Sequence, residues 1–107
     1  MFDCLRDMGD PVGASAHVLR SLKADGTWML EPFASDRLDD NVNPVGRICY
    51  ATSTLICTPN SRSQEVGRCL GAQAGEERLR EVLTPGCCGR FRSATQRPFN
   101  LIFEARP

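Results

Sequence analysis

Charged side chains crowd a short stretch near the start of the chain, MFDCLRDMGDP, where Asp3, Arg6, Asp7 and Asp10 interrupt or follow the apolar Phe2, Cys4 and Leu5. Arg6 is a permanent cation with a planar fork of N–H donors, suited to holding a carboxylate or phosphate and unable to accept a proton. Asp7 beside it is a carboxylate that can act as a base, although such a residue at a strand end more often caps a helix or faces water. Charge gathered at the exit of an apolar run is where open α/β sheets bind their ligands.

The other reactive types are six cysteines, Cys4, Cys49, Cys57, Cys69, Cys87 and Cys88, and one histidine, His17. No spacing of two intervening residues between cysteines marks a zinc site, and His17 falls inside a helical pattern, so no metal centre is expected. The start of the chain shows no basic segment followed by an apolar core, which argues against a secretory signal and for reduced thiols in the cytosol. The adjacent Cys87 and Cys88, near Arg90 and Arg92, form a weaker candidate for thiol chemistry.

Thirteen basic residues balance thirteen acidic ones over 107 residues. One modest core is the most such a length supports, and a net charge of zero offers no long-range attraction to nucleic acid or an anionic membrane. No apolar run is long enough to span a bilayer.

The elements that must position these residues follow from periodicity. The apolar start reads as the end of a strand. Asp10 and Pro11 then signal a helix start, and Val12, Ala16, Val18, Leu19 and Leu22 carry a buried stripe to about Lys23. Asp25 and Gly26 turn the chain into Thr27–Leu30, a continuous apolar run expected as a parallel strand covered on both faces, which ends at Glu31 and Pro32. Residues 34–70 form a polar loop and a helical insertion. Asn43 and Pro44 begin its first helix, Val45, Ile48, Cys49, Thr52, Leu55 and Ile56 keep helical spacing, and Pro59 is expected to end it. Ser61 with Gln64 suggests a capping box opening a short helix to about Leu70. Glu76–Leu83 is a further amphipathic helix stopped by Pro85 and Gly86. Arg90–Thr95 and Phe99–Ala105 read as an antiparallel hairpin turning at Gln96, Arg97 and Pro98, with Phe99, Leu101 and Phe103 on one side.

This order of elements resembles the C-terminal half of a class I S-adenosylmethionine-dependent methyltransferase, a Rossmann-like sheet whose last strand is antiparallel and inserted beside the fifth. The chain would supply strands four to seven as one partial domain over residues 1–107. The segments CLRDMGDP, GTWMLEPF, DDNVNPVGR, SQEVG, GAQAGEERLREV and PFNLIFEARP are similar to those of actinobacterial and mycobacterial methyltransferases that carry an N-terminal winged-helix domain.

LRDMGD also resembles the LHDWSD stretch of small-molecule O-methyltransferases, in which the histidine is the general base and the aromatic residue packs near the adenine. Arg6 stands where that histidine would be, and Met8 where the tryptophan would be. The resemblance implies S-adenosylmethionine as methyl donor, with Phe2, Asp3 and Met8 near it, Arg6 and Asp7 at the catalytic position, and a small-molecule acceptor met by Glu31, Arg47 and Tyr50. The family's glycine-rich cofactor loop and the acidic residue that holds the ribose are expected upstream of Met1. Gly9, Gly13, Gly67 and Gly71 do not form that loop.

Catalysis by these residues alone is therefore expected to be weak or absent, since methyl transfer depends on holding donor and nucleophile at near-attack distance. The alternative is a non-catalytic interaction module derived from a methyltransferase, either a homodimer or a partner of a separate N-terminal half, because an unpaired fourth strand would be an exposed sheet edge.

Overall fold

The computed structural model describes residues 4–32, 41–86 and 88–107. Phe2 and Asp3, most of the acidic loop at 34–43, and Cys87 lie outside the described residues; the strand end expected at the start of the chain does not reach Leu5, which opens a 3-10 turn, Leu5–Asp7. Within them the protein is a mixed α/β structure. Helix α1 (Pro11–Ser21) precedes strand β1 (Trp28–Leu30), and helix α2 (Pro44–Thr52) runs through a π turn at Ser53–Cys57 into α3 (Thr58–Arg62). Helix α4 (Glu76–Leu83) then leads to strands β2 (Arg90–Gln96) and β3 (Leu101–Arg106).

The three strands form one sheet in the order β1-β3-β2. Strand β3 lies in the middle and is antiparallel to both neighbours, with Leu30 opposite Phe103 and Trp28 opposite Ala105 on one side and Phe91 opposite Ala105 on the other. A bulge between Ser93 and Thr95 shifts the β2 register before the turn. Every pairing among the described residues is antiparallel.

The core gathers under one face of this sheet. Leu5, Leu19, Trp28, Leu30, Leu79, Val82, Leu83, Phe103 and Ala105 form its buried cluster. Helix α1 enters it through a start that the sequence dictates: the Asp10 side chain accepts from the Gly13 amide at 2.9 Å, while Pro11 occupies the first turn, where its missing N–H is no loss. The turn Thr84–Gly86 packs tightly on that helix, and a Cβ on Gly86 would lie 3.0 Å from the Ala16 Cα. Phe91 and Phe103 stack with centroids 5.2 Å apart, and the Arg80 guanidinium lies 5.0 Å from the Phe91 ring.

Several expectations are corrected. Strand β1 is not covered on both faces: Trp28 and Leu30 are buried while Met29 between them is exposed, so this strand alternates like any half-buried one. Pro59 does not end the insertion helix. A proline clashes with the carbonyl four residues back and offers it no N–H. Here the preceding turn is widened into a π turn, in which the Thr58 amide reaches back five residues to the Ser53 carbonyl, and helix continues to Arg62.

Ser61 and Gln64 accordingly start no helix. Ser61 lies in the last turn of α3, and residues 67–71 run as irregular chain with positive φ at Gly67, Cys69 and Gly71. Phe99 is not part of β3 but of the turn before it, where it is 60% exposed.

Candidate functional site

The segment after Leu5 is a single 3-10 turn, Leu5–Asp7, with Leu5 anchored in the core. That anchor fixes Arg6 at the rim of a cleft whose other walls come from distant parts of the chain. From α2 the cleft takes Val45, Ile48, Cys49 and Thr52, a set at helical spacing on one face. Ala72 and Phe99 close it, and the enclosed space is about 400 Å³. Arg6 is the charged side chain in an otherwise apolar lining.

A smaller annex of about 30 Å³ adjoins this cleft through Arg6 and Ala72, a size that suits about one water. It lies at the C-terminal end of β1, where Glu31 and Pro32 join Leu30, Leu70 and Leu79 around it. Arg6 and Glu31, 25 residues apart in sequence, are thus brought to the same recess. A broad polar hollow of about 600 Å³ shares Val45 and Phe99 with the cleft and is bordered by Asn41, Asn43, Gln96 and Arg97.

Helix α2 is held in place by its own start and by its tail. The Asn43 side chain accepts from the Gly46 amide at 2.8 Å. Gly46 is required there, because a Cβ would fall 1.8 Å from the Asn41 carbonyl oxygen. Beyond the π turn, Ser61 is fully buried; its hydroxyl donates to the Met8 carbonyl at 2.9 Å and accepts from the Cys69 amide at 3.1 Å. Ser53 accepts from the Ala72 amide at 3.1 Å, which places Ala72 in the cleft wall.

Gln64 completes the tie. Its Oε1 accepts from the Gly9 amide at 2.7 Å, and its Nε2 donates to the Asp7 carbonyl at 2.9 Å. The turn that carries Arg6 is therefore clamped from behind by α3 and the chain after it.

The Asp7 carboxylate lies beside Cys57 of the π turn. Burial pushes the Cys57 thiol up to about 11, helped by the hydrogen bond and negative charge of Asp7 and opposed by the charge of Arg6. The thiol stays protonated at neutral pH, and the Asp7 carboxylate does not line the cleft. Met8 packs its side chain against the core. Arg47 is exposed and Tyr50 half-buried, and neither belongs to the α2 face that lines the cleft.

Of the residues expected at the site, the structure thus unites Arg6 and Glu31, and places Asp7, Met8, Arg47 and Tyr50 around rather than in the cleft. Sequence reading passed over Cys49, Thr52, Ala72 and Phe99. The helical spacing of Cys49 and Thr52 was visible, but nothing in the sequence said which face of that helix meets Arg6.

Among the described residues no group of three or more His, Cys, Asp or Glu side chains is placed to hold a metal ion, and Cys4, Cys49, Cys57, Cys69 and Cys88 are in no disulfide. No described helix is long and apolar enough to cross a membrane. Neither a protein-family model nor a curated protein matches the chain.

Proposed function

We propose that the chain is the acceptor-binding half of a class I S-adenosylmethionine-dependent methyltransferase that acts on a small molecule. The observation that carries this reading is the meeting of Arg6 and Glu31 in the annex at the C-terminal end of β1, which adjoins, through Arg6 and Ala72, a cleft walled by the inserted helix α2. Ligands of open α/β sheets bind at that end of the strands. The strand order β1-β3-β2, with the last strand antiparallel between the other two, supports the same reading, since the fifth, seventh and sixth strands of that fold follow this order.

The described residues do not furnish a complete pocket for the methyl donor. Phe2 and Asp3 lie outside them, Met8 points to the core, and the 107 residues contain no glycine-rich loop of the kind that cradles it. They provide the rim of a donor site at Leu5–Asp7 and the walls of an acceptor site. What they do is bind and orient: Arg6 supplies a fixed positive charge, the α2 face excludes water, and Glu31 supplies a carboxylate at the annex. Titration with S-adenosylhomocysteine, followed by amide chemical shifts, tests the reading; weak binding that perturbs Leu5–Asp7 and Glu31 is expected.

A second reading, a module that associates without catalysis, is favoured by the π turn, where Leu55 is 77% and Ile56 59% exposed. Sedimentation of a clean monomer across the micromolar range would count against it.

A further inference from the structure

We infer that the open edge of strand β2 takes up an acidic extended peptide of a partner protein, which adds to the sheet as a further strand with its carboxylates on Arg90 and Arg92. Strand β2 ends the sheet order β1-β3-β2, pairs with β3 alone among the described residues, and has six of its seven residues exposed. The backbone groups along its outer side are left to water. Such an edge is a template for one more strand, whose main chain supplies affinity while its alternate side chains supply specificity.

Charge selects the occupant. Side chains of a strand alternate between faces, so Arg90 and Arg92 share the face on which Arg106 and Glu104 stand opposite them in β3. Arg92 and Arg106 approach the same Glu104 oxygen, at 2.5 and 3.8 Å, and the charge of Arg90 acts on that carboxylate as well. Three guanidiniums thus share one glutamate, and Arg92 remains 60% and Arg106 40% exposed. From Cys88 to Phe103 the chain carries Arg90, Arg92 and Arg97 and neither Asp nor Glu. A guanidinium has five N–H donors, so the bond of Arg92 to Glu104 leaves donors for a second carboxylate.

A second copy of the chain is a poor occupant. Two-fold antiparallel pairing of β2 with itself would set Arg90 and Arg92 of both copies on one face as close neighbours, and like charges across strands repel. An acidic strand instead places Glu or Asp at alternate positions beside these arginines. Its intervening side chains lie on the side of Phe91, which is half-buried and stacked on Phe103, and apolar residues suit them. The bulge between Ser93 and Thr95 breaks the register and confines continuous pairing to residues 90–93, so the recognised segment is about four or five residues long.

The test titrates the full chain with a blocked heptapeptide in which Glu alternates with Val, and with its Gln and Lys counterparts, by amide chemical shifts and hydrogen exchange. The Glu peptide is expected to bind about five- to tenfold more tightly than the Gln peptide, the work of two exposed ion pairs, and the Lys peptide not at all. Shifts and new exchange protection should fall on residues 89–93 and spare Leu5–Asp7 and Glu31. Arg90→Gln combined with Arg92→Gln should bring the Glu peptide down to the level of the Gln peptide, and high salt should do the same to the wild type. N-methylation of the peptide at one alternate set of amides should abolish binding, while methylation at the other set, which faces water, should be tolerated.

Equal binding of the Glu and Gln peptides, or a preference that survives both the double substitution and high salt, would overturn the inference. Tolerance of both N-methylated sets would do so too, since it would mean charge attraction without strand pairing. Concentration-dependent association that protects the β2 amides would assign the edge to a second copy and contradict the proposal. The inference does not rest on the methyltransferase reading, and the response to S-adenosylhomocysteine leaves it unaffected.

Discussion

The two sides of the molecule are held together by different forces. Under the sheet, α1 and α4 meet β1 and β3 through Leu19, Leu30, Leu79, Leu83, Phe103 and Ala105, all nearly inaccessible to water. The arm from α2 through α3 buries little that is apolar and exposes Ile48, Leu55 and Ile56. Polar ties made by Ser53, Ser61 and Gln64 dock it instead. Apolar packing is non-directional and sets overall stability, whereas buried hydroxyls with two partners fix a position. The side that must present a defined cleft wall is the side fastened by directed bonds.

That contrast is open to direct challenge. Leu83→Ala, at 1% exposure in the middle of the apolar side, should cost about 2–5 kcal/mol in urea unfolding and shift the whole transition. Ser61→Ala leaves the Met8 carbonyl and the Cys69 amide without their buried partner. It should cost about 1–3 kcal/mol, with hydrogen-exchange protection lost first around residues 61–72 and retained in the sheet. A uniform loss of protection would mean that the arm and the sheet form one cooperative unit.

Cys57 gives a smaller effect with a defined sign. Its folded thiol is pushed from 9.0 up to about 11, so the folded state holds the proton more tightly than the unfolded chain. The associated stability is complete below pH 9 and is lost as pH rises from about 9 towards 11. Thermal melts over that window should fall by several degrees in the wild type and less in Cys57→Ala. The smallest response is expected on the solvent side of the sheet, where Arg92 meets Glu104 at 2.5 Å with the arginine largely exposed. Arg92→Ala should leave the unfolding midpoint nearly unchanged, as for most exposed ion pairs.

The apolar side was largely legible in the sequence. The Asp10–Pro11 signal, the spacing through Leu19, the charged flank of Glu76–Leu83 and the alternation around Phe103 each have a local cause that acts within a few residues. Strand β1 was misread for a similar reason: three consecutive apolar residues look fully buried, and only the sheet decides that Met29 faces outward.

The arm was less legible because its geometry is decided across long separations. Pro59 has a strong local meaning that the π turn overrides, and Ser61 and Gln64 read as a helix start when their partners are Met8, Gly9 and Asp7, more than fifty residues away. The charge cluster around Arg6 was visible as a candidate from its composition. Its division, with Arg6 in the cleft and Asp7 on Cys57, required the fold.

The account stands most directly on the response of the chain to S-adenosylhomocysteine. In a two-dimensional amide spectrum, saturable shifts in the millimolar range, concentrated at Leu5–Asp7 and Glu31 and leaving β2 untouched, are the predicted result. A spectrum unchanged at every described residue up to the solubility limit of the ligand would contradict the methyltransferase reading.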